Sequence, residues 1–346
     1  MERTQQDKVQ EITDKLEAGI KDLFESEKYM NYLNTMAKFY NYSFNNSLLI
    51  ALQKPDATYV AGYTSWEKNF GRQVQKGEKG IRILAPSPYK INKDVEMVDP
   101  VTQKPVIGKN GEPLRERVQT TIPAYKVTTI FDISQTQGKD LPEITTELKG
   151  DVREYEKFFE ALKRVSPVPI EIQNIRNGAN GFYHLEEKQI VIREGMSEMQ
   201  NIKTAIHEIS HAMLHDKETG IEKDNLPDRR TKEVEAESVA YTVCQHYGIE
   251  TSDYSFGYVA GWSSGRELEE LRKSMNTIRG TAADIIKQID GKLDEMKLVE
   301  NDNKTIGLAS EKEAVKKVNQ VMGNAGQTHD ATEMIKDVVK HHHRSH

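Results

Sequence analysis

Apolar residues recur at helical spacing from Val9 through Ile12, Leu16, Ile20 and Leu23, with charges between them, and predict an amphipathic first helix. A second helical segment is expected from about Tyr29 to Gln53, ending before Pro55, so residues 1–55 read as helical. Thr64 followed by Glu67 has capping-box spacing and predicts a short helix that stops near Gly71. Lys76-Gly77-Glu78-Lys79-Gly80 reads as a tight turn and Ile81-Arg82-Ile83-Leu84 as the strand after it. Residues 86–122 are rich in proline and charge and carry an Asn110-Gly111 hairpin signal. They read as an excursion from a small sheet that resumes at about Ala124 to Ile133. The stretch 134–150, with Gly138, Pro142 and Gly150, reads as a linker.

The second half opens with an expected helix from Val152 to Val165 and a strand near Ile170–Ile172. Phe182-Tyr183-His184, a Glu186-Glu187-Lys188 turn and Gln189–Ile192 read as a hairpin. Ser197 with Gln200 has capping-box spacing and opens a helix whose apolar stripe is Ile202, Ala205, Ile206, Ile209, Ala212 and Met213. After a loop with Gly220 and Pro227, a helix is expected from Thr231 to Tyr247, ending at Gly248. Leu268 to Met296 is a long helical pattern, and beyond Val299 hydrophobic content drops.

A length of 346 residues makes two domains the natural division. The pattern places them at 1–140 and 150–290, with a polar, loosely ordered tail at 291–346. The histidine-rich end, His341 to His346, is set aside from the site argument. The class is α+β: a small mixed N-terminal domain, a second domain, and a helical C-terminal extension. Cys244 is the one cysteine, so no internal disulfide can form and a thiolate zinc site is excluded. A reducing, cytoplasmic setting is expected, because the first residues lack the apolar core of a signal peptide. No apolar run reaches the length of a membrane span, so no membrane partner is expected. The net charge of −6 argues against a wholly basic nucleic-acid binder. Between Ala61 and Lys93, however, seven basic residues face only two acidic ones, and such a local stripe outweighs the total.

The sharpest chemistry lies in His207-Glu208-Ile209-Ser210-His211. On a helix, histidines four apart share a face and can grip one metal ion, with the glutamate beside it as a base. A catalytic zinc takes three protein ligands. The extended three-histidine pattern is ruled out, since Leu214 and Lys217 stand where it needs Gly and His. His215 lies rotated off the pair's face and too far along the axis. Glu233 and Glu237, at i,i+4 on the next helix, supply one carboxylate for the metal and one to orient a ligand histidine. Glu235 points roughly opposite. Tyr183 and His184 are candidate oxyanion stabilisers, with plain hairpin packing as the blander role. The strand Gln189–Ile192 could take an extended peptide along its edge.

His207–His211 with Glu233-x-x-Ala236 resembles the gluzincin-type, zincin-like metallopeptidase domain of ImmA/IrrE-like and ArdC-type antirestriction proteins. That resemblance implies His207, His211 and Glu233 as ligands, Glu208 as catalytic base, and Glu237 behind the ligands. The implied cofactor is Zn2+, with another divalent metal such as Mn2+ as the alternative.

Upstream, aromatics and cations interleave: Phe39, Tyr40, Tyr42, Phe44, Tyr59, Tyr63, Trp66 and Phe70, then the basic stripe. Aromatic faces stack unpaired bases and cations track phosphates, although aromatics at this density also build cores. Tyr42 to Ile50, Trp66, Val74 to Gly80 and Phe131 to Thr136 resemble the N-terminal single-stranded-DNA-binding domain of ArdC-like proteins, nearest to the LtrC-like group of conjugative elements. The similarity spans roughly residues 10–290, and the excursion at 86–122 departs from the shorter ArdC pattern. The DNA contacts expected are Trp66, Arg72, Lys76, Lys79 and Arg82, with Asn46 fixing local backbone. The resemblance implies an antirestriction role, protecting transiently single-stranded incoming plasmid DNA. Two other readings stay open. One is a regulatory metallopeptidase that cleaves a repressor or host protein, such as a restriction component, with DNA binding only for localisation. The other is a non-catalytic DNA-protection protein with a structural metal.

Overall fold

The N-terminal half is built from amphipathic helices laid on a small antiparallel sheet. The computed structural model describes residues 4–141, 152–176, 178–216 and 227–324. Helix α1 (Gln5–Leu23) starts at Thr4, which exchanges reciprocal hydrogen bonds with Asp7, and buries Ile12, Leu16, Ile20 and Leu23. The helix expected from Tyr29 to Gln53 is two helices, α2 (Ser26–Lys38) and α3 (Phe44–Gln53). The break falls at Ser43, whose hydroxyl accepts from the Asn46 N–H at 3.3 Å and restarts the helix.

Strand β1 (Val60–Gly62) runs directly into α4 (Tyr63–Phe70). The helix thus begins at Tyr63 without a side-chain cap, rather than at Thr64, and it ends at Gly71 in the left-handed region with φ 62°. Then follow β2 (Arg72–Val74), β3 (Ile81–Pro86), β4 (Tyr89–Glu96), β5 (Arg115–Ile122), β6 (Tyr125–Asp132) and β7 (Thr136–Gly138). Strand β6 is central, antiparallel to β1 on one side and to β3 on the other. The excursion at 86–122 is the β4–β5 ribbon, paired from Tyr89–Ile122 to Glu96–Arg115.

The outer edge of β3 is closed by α3. The Asn46 side-chain amide bonds both backbone groups of Leu84, each at 2.9 Å, and Gln53 does the same for Arg82 at 2.9 and 3.0 Å. Two amides on one helix face therefore occupy the donors and acceptors that a further strand would use.

In the second half, α5 (Val152–Val165) precedes β8 (Ile170–Gln173), β9 (Gly181–His184) and β10 (Gln189–Arg193). Strand β10 is central, parallel to β8 and antiparallel to β9. Both its edges are therefore paired, and the strand with an edge outside this sheet's ladder beside the site is β9. This corrects the expectation that Gln189–Ile192 offers an edge to a peptide. Helices α6 (Glu198–Leu214), α7 (Arg229–His246), α8 (Val259–Ser263) and α9 (Leu268–Asn324) complete the element order.

Residues Met1–Asp290 form one compact unit and Gly291–His346 a second. In the first unit, α2 lies against α7. The Tyr29 and Ser238 hydroxyls are 2.8 Å apart and buried, and Tyr241 donates to Asn34 at 2.8 Å. Phe24, Tyr29, Tyr241, Phe256 and Trp262 form one aromatic cluster around this contact, edge-to-face except for the tilted Phe24–Tyr29 pair. The segments expected at 1–140 and 150–290 thus share core, while most of the expected linker lies outside the described residues. Helix α9 gives Met275, Ile278, Ala282, Ile286 and Ile289 to the interior. The second unit continues helically to Asn324, and residues 325–346 lie outside the described residues. No helix among the described residues is long and apolar enough to cross a membrane.

Candidate metal centre

The Ser197 hydroxyl accepts the Gln200 N–H at 3.2 Å and starts α6, which fixes the rotation of everything after it. Ile202, Ala205, Ile206, Ile209 and Ala212 go into the core, so His207 and His211 face a cleft, their rings 4.7 Å apart. Asp228 starts α7 in the same way, accepting the Thr231 N–H at 2.9 Å, and is tied to Arg266. One turn further on, Glu233 faces the same cleft. Its Oε2 lies 3.8 Å from His207 Nε2 and 3.6 Å from His211 Nε2. The two histidine Nε2 atoms are 3.1 Å apart, and the three ligand-type atoms lie within 4.8 Å of one another. Two nitrogen lone pairs this close repel unless a proton or cation lies between them, so the donor set fits a divalent ion. Burial pushes His207 down to about 4, which keeps it neutral and able to ligate at neutral pH. The His211 imidazole beside it holds Glu233 below the usual carboxylate range.

Glu208 lines the cleft beside this group, only 7% exposed, and burial pushes its carboxyl up to about 7. Its close neighbour is β9, whose Tyr183 backbone hydrogen-bonds to it. The approach depends on Gly181. A Cβ there would meet Thr204 Cγ2 at 2.5 Å and the Val191 carbonyl oxygen at 2.9 Å. The cleft opens to either side of the histidines. A hollow of about 370 Å³ is lined by Asn180, Gln200, Lys203, Asp253 and Tyr254. Another of about 460 Å³ is lined by Phe182, Leu185, Arg229 and Lys232.

Several residues around the centre have jobs other than those expected. Glu237 does line the cleft, but its carboxylate accepts from the Tyr258 hydroxyl rather than orienting a ligand histidine. Burial raises Glu237. The group that backs a ligand histidine is His215, whose Nδ1 lies 2.9 Å from His211 Nδ1, and behind it Glu235 at 3.2 Å from His215 Nε2. Burial lowers His215. A histidine at each of 207, 211 and 215 was the available signal. Tyr183 donates to Asp216 at 2.6 Å, and His184 Nδ1 accepts the Glu187 N–H at 3.1 Å, so both serve the hairpin and its neighbouring loop.

The expected DNA contacts divide in two. Trp66 is 1% exposed, packs on Phe70, and donates its Nε1–H to the Phe131 carbonyl at 2.9 Å. Arg72 is 9% exposed and holds Thr136, Gly138 and Lys139 with its guanidinium. Neither side chain faces solvent, so neither can meet DNA here; both hold β7 and the end of β6 in place. Lys76 and Lys79 are exposed at the turn before β3, while Arg82 is half-buried and paired with Glu11 at 2.9 Å. Tyr63, 59% exposed and edge-on to Phe131, is an accessible aromatic in the same half.

Two helices presenting His207, His211 and Glu233 over a short three-stranded sheet, with Glu208 beside them, define a zincin-like fold in the second half of an α+β chain. Comparison with known families agrees. Residues 2–131 match the N-terminal domain of anti-restriction factor ArdC, and residues 168–247 match the IrrE N-terminal-like domain of peptidase family M78. The first part of the chain is thus similar to the ArdC N-terminal domain and the second part to the IrrE-like M78 domain. An uncharacterized protein of Bacillus anthracis is 33% identical, over 84% of this chain and 52% of its own length. The chain thus spans about half the length of that curated relative. Two crystal structures of the antirestriction ArdC protein from the R388 plasmid are also similar. The metal-free one is 25% identical, covering 73% of this chain and 84% of that one, with a TM-score of 0.41. The Mn(II)-bound one is 20% identical, covering 83% and 96%, with a TM-score of 0.45.

Proposed function

We propose that this chain is a single-stranded-DNA-binding antirestriction protein of a mobile element that carries a metal-dependent peptidase centre. The observation that carries the second part is the convergence of His207, His211 and Glu233 within 4.8 Å, with a buried carboxyl beside them. His207 and His211 would hold the cation with their imidazoles and Glu233 with its carboxylate; Zn2+ or Mn2+ suits two imidazoles and one carboxylate. When bound, such a cation supplies Lewis acidity to a peptide carbonyl and acidifies a water. Glu208 takes the proton from the attacking water and hands it to the leaving amine. Its burial removes competing solvent from that carboxyl. Strand β9 lines the cleft and presents backbone groups to an extended peptide. Glu208 favours a peptidase over a purely structural metal, because a structural site needs no base beside it.

The DNA-binding part rests on the ArdC-type N-terminal domain and on the exposed Lys76, Lys79 and Tyr63. Lysines at a turn track phosphates and a solvent-facing ring stacks on a base. The role proposed is protection of incoming single-stranded plasmid DNA in the cytoplasm, with a host restriction component or a repressor as the protein substrate.

The test joins both halves. Bound metal, single-strand retention and protection of incoming DNA are measured for wild type, His207→Ala and Glu208→Gln. The proposal expects metal in wild type, loss of metal in His207→Ala, and metal kept but protection lost in Glu208→Gln. Protection unchanged in Glu208→Gln removes the peptidase from that role. For DNA, a salt series on Lys76→Ala/Lys79→Ala should show a shallower log–log slope, by about 0.7 for each single-strand phosphate that the variant leaves unneutralised. An unchanged slope removes those lysines from the interface.

A further inference from the structure

We propose that His215 and Glu235 are positioning residues for the metal centre: a hydrogen-bonded file from Glu235 through His215 to His211 that fixes which His211 nitrogen is left to ligate. The inference rests on the reading of His207, His211 and Glu233 as a metal site. The file is continuous. Glu235 Oε2 lies 3.2 Å from His215 Nε2, and His215 Nδ1 lies 2.9 Å from His211 Nδ1. It is also sealed from water, with the His215 and Glu235 side chains 5% and 7% exposed.

Protons in this file can be placed by elimination. With the Glu235 carboxyl oxygen accepting, His215 Nε2 carries the hydrogen that the two share. A neutral imidazole has one such hydrogen, so His215 Nδ1 is an acceptor. His211 Nδ1 must then be the donor across the 2.9 Å contact. That leaves the lone pair of His211 on Nε2, the atom that faces His207 Nε2 at 3.1 Å and Glu233 Oε2 at 3.6 Å. The file therefore selects the ligating tautomer and aims the ring. It also leans carboxylate charge on the far side of the imidazole, which makes Nε2 a better donor.

Each end of the file is held by a different helix. His215 caps the C-terminus of α6, with its N–H on the His211 carbonyl at 2.9 Å, and Glu235 comes from α7, two residues after Glu233. The same two helices supply the three ligand atoms in front. With Nδ1 held by the file, Nε2 is the His211 atom that would hold a metal ion.

The experiment uses the full chain, with Zn2+ as the probe in competition with a chelator, on wild type, Glu235→Gln and the paired His215→Phe/Glu235→Leu. The paired variant removes the buried charge together with its partner, so it leaves no unpaired carboxylate in the interior. Loss of such backing groups weakens metal binding by about 10–100-fold. That loss is expected for the paired variant, with a smaller one for Glu235→Gln, whose amide oxygen still accepts. The thermal midpoint of the metal-free protein should stay near wild type in Glu235→Gln, which separates positioning from plain structural support. Nitrogen-15 histidine spectra of the metal-free wild type should place the His211 proton on Nδ1 and the His215 proton on Nε2. Zinc affinity within threefold of wild type in both variants, or the opposite proton placement, overturns the proposal. If wild type binds no zinc, the metal reading falls and takes this inference with it. If wild type and both variants bind zinc equally, only the file falls.

Discussion

Replacing Trp66 with phenylalanine separates its place in the core from a role on DNA. In this fold the indole is 1% exposed, rests against Phe70 at 5.1 Å, and gives its Nε1–H to the Phe131 carbonyl at 2.9 Å. Phenylalanine keeps most of the apolar body but removes the donor. The carbonyl left behind loses a buried hydrogen bond, a cost of about 1–3 kcal/mol. The smaller ring adds about 1 kcal/mol of weaker packing and residual cavity. The expected destabilisation is thus about 2–4 kcal/mol, which for a unit of this size lowers the thermal midpoint by about 4–8 °C. Single-strand affinity, measured by gel shift below that midpoint, should stay within about twofold. Base stacking would predict the reverse, because losing a stacked aromatic costs about 1–3 kcal/mol of binding with little effect on folding. A Trp66→Phe variant with an unchanged midpoint and tenfold weaker DNA binding would refute the placement of Trp66 in the core.

Three further outcomes follow from the geometry. Gly181→Ala should destabilise by about 1–3 kcal/mol, because its Cβ would press on Thr204 and on the Val191 carbonyl at 2.9 Å; urea midpoints equal to wild type would contradict this. The Arg266 ion pair holds Asp228 down to about 2, against about 3.9 in an unfolded chain. Its stabilisation is therefore complete above pH 4 and lost as pH falls from about 4 towards 2. With the side chain half exposed, solvent screening limits it to about 1 kcal/mol, and the gap between wild type and Asp228→Asn should close over that range. Free Zn2+ at 100 times its dissociation constant should stabilise wild type by about 2.7 kcal/mol and leave His211→Ala unmoved, read as a shift in thermal midpoint.

Local signals in the sequence reach a long way into this site, and the places where they fail share a cause. Ser197 and the apolar stripe set the rotation of α6, and the i,i+4 spacing puts His207 and His211 on one face whatever their neighbours are. Spacing likewise brings Glu233 to that side of α7. What a helical projection omits is the surface opposite. It turns Glu235 away from Glu233, and Glu235 does point away, but His215 lies there to receive it. The same projection misplaces His215 because α6 ends at Leu214; with φ −120° at His215 the helical angle no longer applies. Aromatic density around Trp66 suits a stacking face or a core equally, since the side chains are the same and only burial separates them. The basic stripe hides the same ambiguity: Arg72 has its guanidinium committed to backbone and hydroxyl oxygens, whereas Lys76 is exposed.

The two amides that close β3 bear on how molecules behave when crowded. A strand of six residues with an open edge is a template for any identical neighbour. Coating a nucleic acid would bring copies side by side at very high local concentration, where edge-to-edge pairing becomes a route to aggregates. Asn46 and Gln53 occupy the backbone groups of Leu84 and Arg82, so that docking position is already filled from within the same chain. At the other end of the sheet, β1 is only three residues long and turns straight into a helix. Packed along a strand, the molecules would meet as finished surfaces.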